Sequence, residues 1–212
     1  MSKQFLSFNH GIAMTTDSND NHQKRQQKLK QTVDSRIAAA TEDKGLLLVI
    51  TGNGKGKSTA GFGVVTRAVG HGMSAAVVQF IKGQWECGER NLLQQHGVDF
   101  HVMASGFTWE TQNREEDIKH AEIAWQAAQQ WLSDPSIDVV LLDELTYMLS
   151  YKYLDLEQVI AALESRPAHQ HVVITGRACH RRIIEMADTV SEVQSVKHAF
   201  DSGIKVQKGI DW

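Results

Sequence analysis

The chain has 212 residues, 42% hydrophobic and 22% charged, and a net charge of -3 with histidines neutral. That length suffices for one domain with a substantial core, and the charge balance supplies no basic field of the kind that draws nucleic acid. The two cysteines, Cys87 and Cys179, stand in no paired spacing, which argues against a disulfide framework and fits a reducing, cytoplasmic compartment.

Residues 1–21 are polar and irregular and are expected to form a flexible extension. Asn9 and His10 interrupt its few apolar positions, so it lacks the apolar region and cleavage site of a signal peptide. Residues 22–44 change character. His22–Glu42 contains no glycine or proline and many helix formers, which predicts a helical arm. Leu29, Val33 and Ile37 recur every four residues and give it a narrow apolar stripe. The pattern favours packing of that stripe on its own domain, or a frayed surface helix, over an arm that reaches a site or a neighbouring subunit.

The main domain is expected over 45–212. Strands are predicted at Leu46–Thr51, Ser74–Ile81, Asp99–Met103, Asp138–Asp143, His171–Thr175 and Thr189–Val193. Helices are predicted at Lys57–Gly70, Glu89–His96, Arg114–Leu132, Leu156–Ser165 and His180–Asp188. The strands are nearly continuous apolar runs, as when helices cover both faces of a sheet. Strand alternating with helix predicts an α/β fold, a mostly parallel doubly wound sheet of the P-loop NTPase (RecA-like) type with an N-terminal helical arm. No apolar run is long enough to span a membrane.

Ligands of such sheets bind beyond the carboxyl ends of the strands, so the residues after each apolar run carry the functional signal. The first run opens into Gly52, Asn53, Gly54, Lys55, Gly56, Lys57, Ser58 and Thr59. Backbone N–H groups of a glycine-rich loop and the positive end of the next helix converge on phosphate oxygens. Lys57 reaches the phosphates and the Ser58 hydroxyl binds Mg2+. The full phosphate-loop pattern would place glycine at position 51, where this chain has Thr51. The run "IDVVLL" ends in Asp143 and Glu144, an apolar strand closing on two carboxylates. One of them, with Glu144 preferred, would hold Mg2+ opposite Ser58. After "HVVIT" comes Arg177, placed to clamp polyphosphate oxygens. Arg67, on the helix after the loop, is a weaker candidate for the nucleotide. Phe107 and Trp109 flank Thr108 in a glycine-bearing loop, where they form either an apolar platform or ordinary core.

His71, His101, His180 and His198 show no metal-ligand spacing, and Cys179 reads as a buried cysteine rather than a nucleophile. A catalytic base, a water-positioning glutamine and a lid of arginines are not recognisable, so γ-phosphate chemistry does not follow from the loop alone. The residues leave a RecA-like ATPase or kinase open. They also leave open a non-catalytic nucleotide-dependent binding protein, which would use the basic run Lys24, Arg25, Lys28 and Lys30.

The segments "TGNGKGKSTAGFG", "VVQFIKG", "GERN", "SGFTWETQNRE", "VLLDELTYML", "ITGRACHR" and "VKHAFDSGIKVQKGID", with "HQKRQQKLK" before them, occur in this order. In them the chain resembles the P-loop type ATP:corrinoid (cob(I)alamin) adenosyltransferases from about residue 22 onward. The family loop carries threonine at its start, so the resemblance makes Thr51 regular. It implies transfer of the 5'-deoxyadenosyl group of ATP to the Co(I) of a corrinoid, cobalamin or cobinamide, with release of triphosphate. It implies MgATP as co-substrate with Mg2+ or Mn2+, a homodimer capped by the N-terminal helix, and a reduced flavoprotein as electron donor. It also implies that Phe107 and Trp109 displace the lower axial ligand of cobalt, and that no general base is needed because the corrinoid supplies the nucleophile. Ser58 and Trp212 stand where threonine and tyrosine are common in the family.

Overall fold

A computed structural model describes residues 14–81, 86–103 and 113–211, with side chains from residue 20 onward. The chain divides into an N-terminal unit that ends at Asp43 and a main unit that starts at Lys44.

The N-terminal unit contains one helix, α1 (Met14–Ala39). It starts ahead of the expected His22, inside the stretch expected to be flexible. No glycine or proline lies between Met14 and Ala39, so the polar run before His22 contains nothing that breaks a helix. Leu29, Val33 and Ile37 are exposed along it. A Lys30–Asp34 pair at 2.5 Å spans one turn, a contact that adds a few tenths of a kcal/mol at most.

The main unit contains one six-stranded sheet. Its strands are β1 (Leu47–Thr51), β2 (Ala75–Gln79), β3 (Asp99–Val102), β4 (Val139–Asp143), β5 (His171–Thr175) and β6 (Thr189–Glu192). Their order is β3-β2-β4-β5-β1-β6 and every pairing is parallel. The connections carry α2 (Lys57–Gly70), α3 (Gly88–Gln94), α4 (Arg114–Ser133), α5 (Leu145–Ser150), α6 (Leu156–Ser165) and α7 (Arg181–Met186), followed by a 3-10 turn at Ala199–Ser202. This is the α/β arrangement of P-loop NTPases. The predicted strands and helices all occur, with ends shifted by a few residues. The short α5 and the 3-10 turn were not predicted.

Both faces of the sheet are apolar because successive strand residues point to opposite sides. Val140, Leu142, Val172 and Ile174 face one layer, where they meet Trp125 and Leu132 of α4, Leu163 of α6 and Ile183 of α7. Val139, Leu141 and Val173 face the other, where Phe62 and Val65 of α2 and Leu93 of α3 cover them. Side chains cap some of the helix starts: Asn113 accepts the Glu116 N–H at the start of α4, and Asp155 accepts the Gln158 N–H at the start of α6. No helix among the described residues is long and apolar enough to cross a membrane.

The order β4-β5-β1 brings three carboxyl ends side by side. Thr51, Asp143 and Thr175 close those strands, and the segments that follow them build the candidate site.

Candidate functional site

β1 stays extended through Thr51, whose register partner is Glu192 of β6. The chain turns only at Gly52, with φ of 101°. A Cβ at Gly52 would stand 2.5 Å from the Val193 carbonyl oxygen, so only glycine passes here. The Gly54 N–H then donates to that same carbonyl at 2.7 Å. The loop is thus laid along the end of β6. It enters α2 at Gly56, with φ of 114° and no side-chain cap on the first helical N–H groups. No acidic residue occupies the first turn of α2. The helix start therefore keeps its positive partial charge.

Lys57 is 6% exposed. Its Nζ donates to the Gly54 carbonyl at 2.8 Å, folding the side chain back across the loop. Burial holds its pKa below the usual lysine value. The Glu144 carboxylate opposes that shift, the Arg177 guanidinium adds to it, and Asp143 opposes it. Three of the residues singled out in the sequence therefore share one electrostatic environment with Asp143.

The two acids at the end of β4 have different places. Asp143 is fully buried. Its Oδ1 accepts the Thr175 hydroxyl at 2.7 Å and its Oδ2 accepts the Gln79 amide at 3.4 Å. Glu144 adopts a left-handed conformation, φ 65°, and its N–H donates to Thr175 Oγ1 at 2.9 Å. This turns Glu144, not Asp143, into the cavity wall. Past β5, Gly176 has φ of 134°, and a Cβ there would lie 2.0 Å from Thr146 Oγ1. That hydroxyl donates to the Arg177 carbonyl at 2.7 Å. The close approach aims Arg177 at the same cavity.

The cavity measures about 580 Å³. Asn53 through Thr59 line it, together with Glu144 and Arg177. The rest of the lining comes from Gly88, Glu89 and Leu92 of α3 and from His198, Gly209, Ile210 and Asp211. Lys55 reaches across to Asp211 at 2.5 Å, and Lys208 of the same turn meets Glu86 at 3.3 Å. His198 Nδ1 accepts the Phe200 N–H at 3.2 Å, which leaves Nε2 as its other polar atom.

Arg67 is not brought to this cavity. It lies in the last turn of α2, about 15 Å along the axis from Lys57, and is exposed. Gly52 turns the chain without lining the cavity. Phe107, Trp109 and Trp212 lie outside the described residues. Cys179 is pushed up to about 11 by burial, so its thiol stays protonated at neutral pH. His198, Ile210 and Asp211 fall in the closing segment "VKHAFDSGIKVQKGID", to which no site role was assigned, and Thr175 was not singled out. Thr175 was detectable in principle as a polar residue closing an apolar strand. That this segment meets the glycine-rich loop is a contact between distant parts of the chain, which no local pattern shows.

Ser58 and Glu144 both line the cavity with hard oxygen donors, the chemistry Mg2+ prefers when phosphates complete its shell. Among the described residues no group of three or more His, Cys, Asp or Glu could hold an ion by itself. The donor set therefore fits a divalent ion that arrives with a polyphosphate.

Comparison with known proteins places residues 43–212 in the family described as ATP:corrinoid adenosyltransferase BtuR/CobO/CobP. Residues 14–37 match the family described as Cob(I)alamin adenosyltransferase N terminal. Corrinoid adenosyltransferase CobA of Salmonella typhimurium is 60% identical over 195 residues, which cover 92% of this chain and 100% of the relative. The corrinoid adenosyltransferase of Escherichia coli K12 has the same identity and coverage. That of Pseudomonas aeruginosa is 50% identical over 198 residues, 92% of this chain and 98% of the relative.

Proposed function

Because this chain belongs to the ATP:corrinoid adenosyltransferase family and transfers the 5'-deoxyadenosyl group of ATP to the Co(I) of a corrinoid, we propose that its cavity grips the triphosphate as a leaving group. The supporting observation is that the glycine-rich loop, Lys57, Glu144 and Arg177 all line one space. In the reaction the Co(I) electron pair forms a bond to C5' of the ribose. The C5'–O bond breaks, and its electron pair leaves with the triphosphate. Charge accumulates on the leaving oxygen, so the groups that matter are donors and cations already aimed at phosphate oxygens. The N–H groups of Asn53 to Thr59 surround the phosphates. Lys57 exchanges its contact with the Gly54 carbonyl for a phosphate oxygen, and Arg177 forks onto another. A divalent ion, held by Ser58 and Glu144, would supply further neutralisation of the triphosphate.

The remaining assignments belong to the same proposal. Phe107 and Trp109 enclose one face of the corrinoid and displace its lower axial ligand, which eases reduction of Co(II). The protein works as a cytoplasmic homodimer, a reduced flavoprotein supplies the electron, and α1 caps the corrinoid through its exposed Leu29, Val33 and Ile37 stripe.

An anaerobic spectral assay tests this reading. Chemically reduced Co(I) cobalamin, MgATP and protein should lose the Co(I) band and form a light-sensitive alkylcobalamin, with one triphosphate released per product. Formation of ADP and phosphate without alkylcobalamin would replace the reading with an ATPase. Product formation undiminished in Lys57→Ala and Arg177→Ala would remove these residues from the mechanism.

A further inference from the structure

We infer that Asp211 is a positioning residue that weakens the hold on the departing triphosphate by drawing Lys55 away from it. The inference rests on the phosphate-site reading above. Among the described residues, Lys55, Lys57 and Arg177 bring positive charge to the cavity, and Glu89, Glu144 and Asp211 bring negative charge. Glu144 has the ion to meet in that reading, and Glu89 accepts the Cys87 thiol at 3.3 Å. Asp211 is different, because its partner is a lysine of the loop itself.

The turn holds Asp211 in place before Lys55 is considered. Its Oδ2 accepts the Gln207 N–H at 2.7 Å, and its own N–H donates to the Gln207 carbonyl at 2.8 Å. Hydrogen bonds from Lys55 and the Gln207 N–H hold its carboxyl below the usual carboxylate range, so the charge is present wherever the enzyme works. The long lysine side chain therefore comes to the carboxylate. Lys57, by contrast, is folded over the loop. The two lysines have been given different duties: Lys57 faces the phosphates and Lys55 is held against the wall.

A carboxylate in the wall of an anion cavity repels whatever anion is bound, and the repulsion grows with the anion's charge. Breaking the C5'–O bond leaves the triphosphate with one more ionisable oxygen than it had in ATP. The product would otherwise be held more tightly than the substrate by the same cations. Asp211 acts against this in two ways: it repels the extra charge directly, and it keeps the Lys55 charge occupied. Its effect is thus larger on free triphosphate than on ATP.

The test measures dissociation constants of inorganic triphosphate and of ATP, both with excess Mg2+, for the full chain. Asp211→Asn should bind triphosphate about three- to fivefold more tightly than wild type, the size expected for a partly exposed charge pair, with a smaller gain for ATP. In turnover with Co(I) cobalamin, kcat and the KM for ATP should fall together, as when release is slowed. Asp211→Glu should restore wild-type values, which a merely structural role would not do. In a Lys55→Gln background the gain from Asp211→Asn should shrink to half or less, the mark of coupled residues. Asp211→Ser gives the same comparison if Asp211→Asn does not fold. Triphosphate affinity equal to or below wild type in the neutral variants, or a gain unchanged without Lys55, overturns the inference. Wild-type protein that binds neither MgATP nor triphosphate overturns the phosphate-site reading and this inference with it.

Discussion

Thr175→Val isolates the group that sets the conformation of Glu144. The Thr175 side chain is fully buried and has two tasks. Its methyl lies under α2, so close that a Cβ on Gly61 would meet it at 2.9 Å. Its hydroxyl donates to Asp143 Oδ1 at 2.7 Å and accepts the Glu144 N–H at 2.9 Å. Valine keeps the shape and the methyl contact and removes only the hydroxyl. One hydrogen bond to a buried carboxylate and one from a backbone N–H are lost together, a cost of about 2–4 kcal/mol. For a chain of this size that lowers Tm by about 5–15 °C. The affinity for MgATP should fall as well, because the left-handed turn at Glu144 loses its tie to β5. Thr175→Ser keeps the hydroxyl and should recover most of both losses, short of about 1 kcal/mol for the missing methyl. Thermal unfolding followed by circular dichroism, beside calorimetric titration with MgATP, reads both quantities. A Thr175→Val protein melting within about 2 °C of wild type would show that the hydroxyl does not fasten Asp143 and Glu144.

Gly176→Ala should cost about 2–4 kcal/mol, since its Cβ would stand 2.0 Å from Thr146 Oγ1 at a φ of 134°; a melting curve like wild type would refute the close approach that aims Arg177. Acid should loosen the starts of the strands. The Asp188 carboxyl, bonded by Lys44 and by the Leu47 N–H, and the Asp138 carboxyl, bonded by the N–H and hydroxyl of Ser74, both sit below the ordinary value of 3.8. A depressed carboxyl contributes stability that is present above 3.8 and lost as pH falls through the folded value. The urea midpoint should therefore drop below about pH 4, with a shallower drop in Asp188→Asn, and equal slopes would contradict the assignment. Cys179, pushed up to about 11, should resist iodoacetamide at pH 8 in the folded protein, and Cys179→Ser should keep full adenosyltransferase activity. Phe107→Ala and Trp109→Ala should leave MgATP binding intact and cripple Co(I) formation from a Co(II) substrate with a weak reductant; normal reduction in both variants would rule out their proposed role.

Most of the sheet was legible because its signal is local. Runs such as Val139–Leu142 and Val172–Ile174 are apolar at every position, as expected of a strand covered on both faces. The loop, Glu144 and Arg177 were legible for a related reason: each follows directly on such a run, and the carboxyl edge of the sheet is where ligands sit. The short α5 was hidden, since its start has no capping side chain and depends on the left-handed Glu144, a conformation fixed by Thr175 from another strand. Arg67 shows the opposite error. It is on the right helix, but the cavity meets only the first turn of α2, and a residue in the last turn is carried out of reach. The start of α1 lies ahead of the expected His22 because a polar run without a helix breaker has no local stop signal. The pairing of Lys55 with Asp211 joins residues 55 and 211, and no periodicity or short motif encodes a contact of that span.

Thr51 shows how a departure from a motif follows from backbone geometry. A glycine at the first position of the phosphate-loop pattern is needed only if the chain must turn there. In this protein β1 continues through Thr51, paired with Glu192, and the left-handed turn falls at Gly52. The position is therefore open to a side chain that suits a strand, and a β-branched residue does. The hydroxyl adds a contact that glycine could not make: Thr51 Oγ1 accepts the Cys179 N–H at 3.4 Å. Cys179 lies two residues past Arg177, in the segment that turns at Gly176 and at Ala178, whose φ of 50° is itself left-handed. Thr51 thus ties the entry of the glycine-rich loop to the segment that carries Arg177. Keeping those two segments in register serves the triphosphate grip proposed above, in which the loop and Arg177 act on the same phosphates.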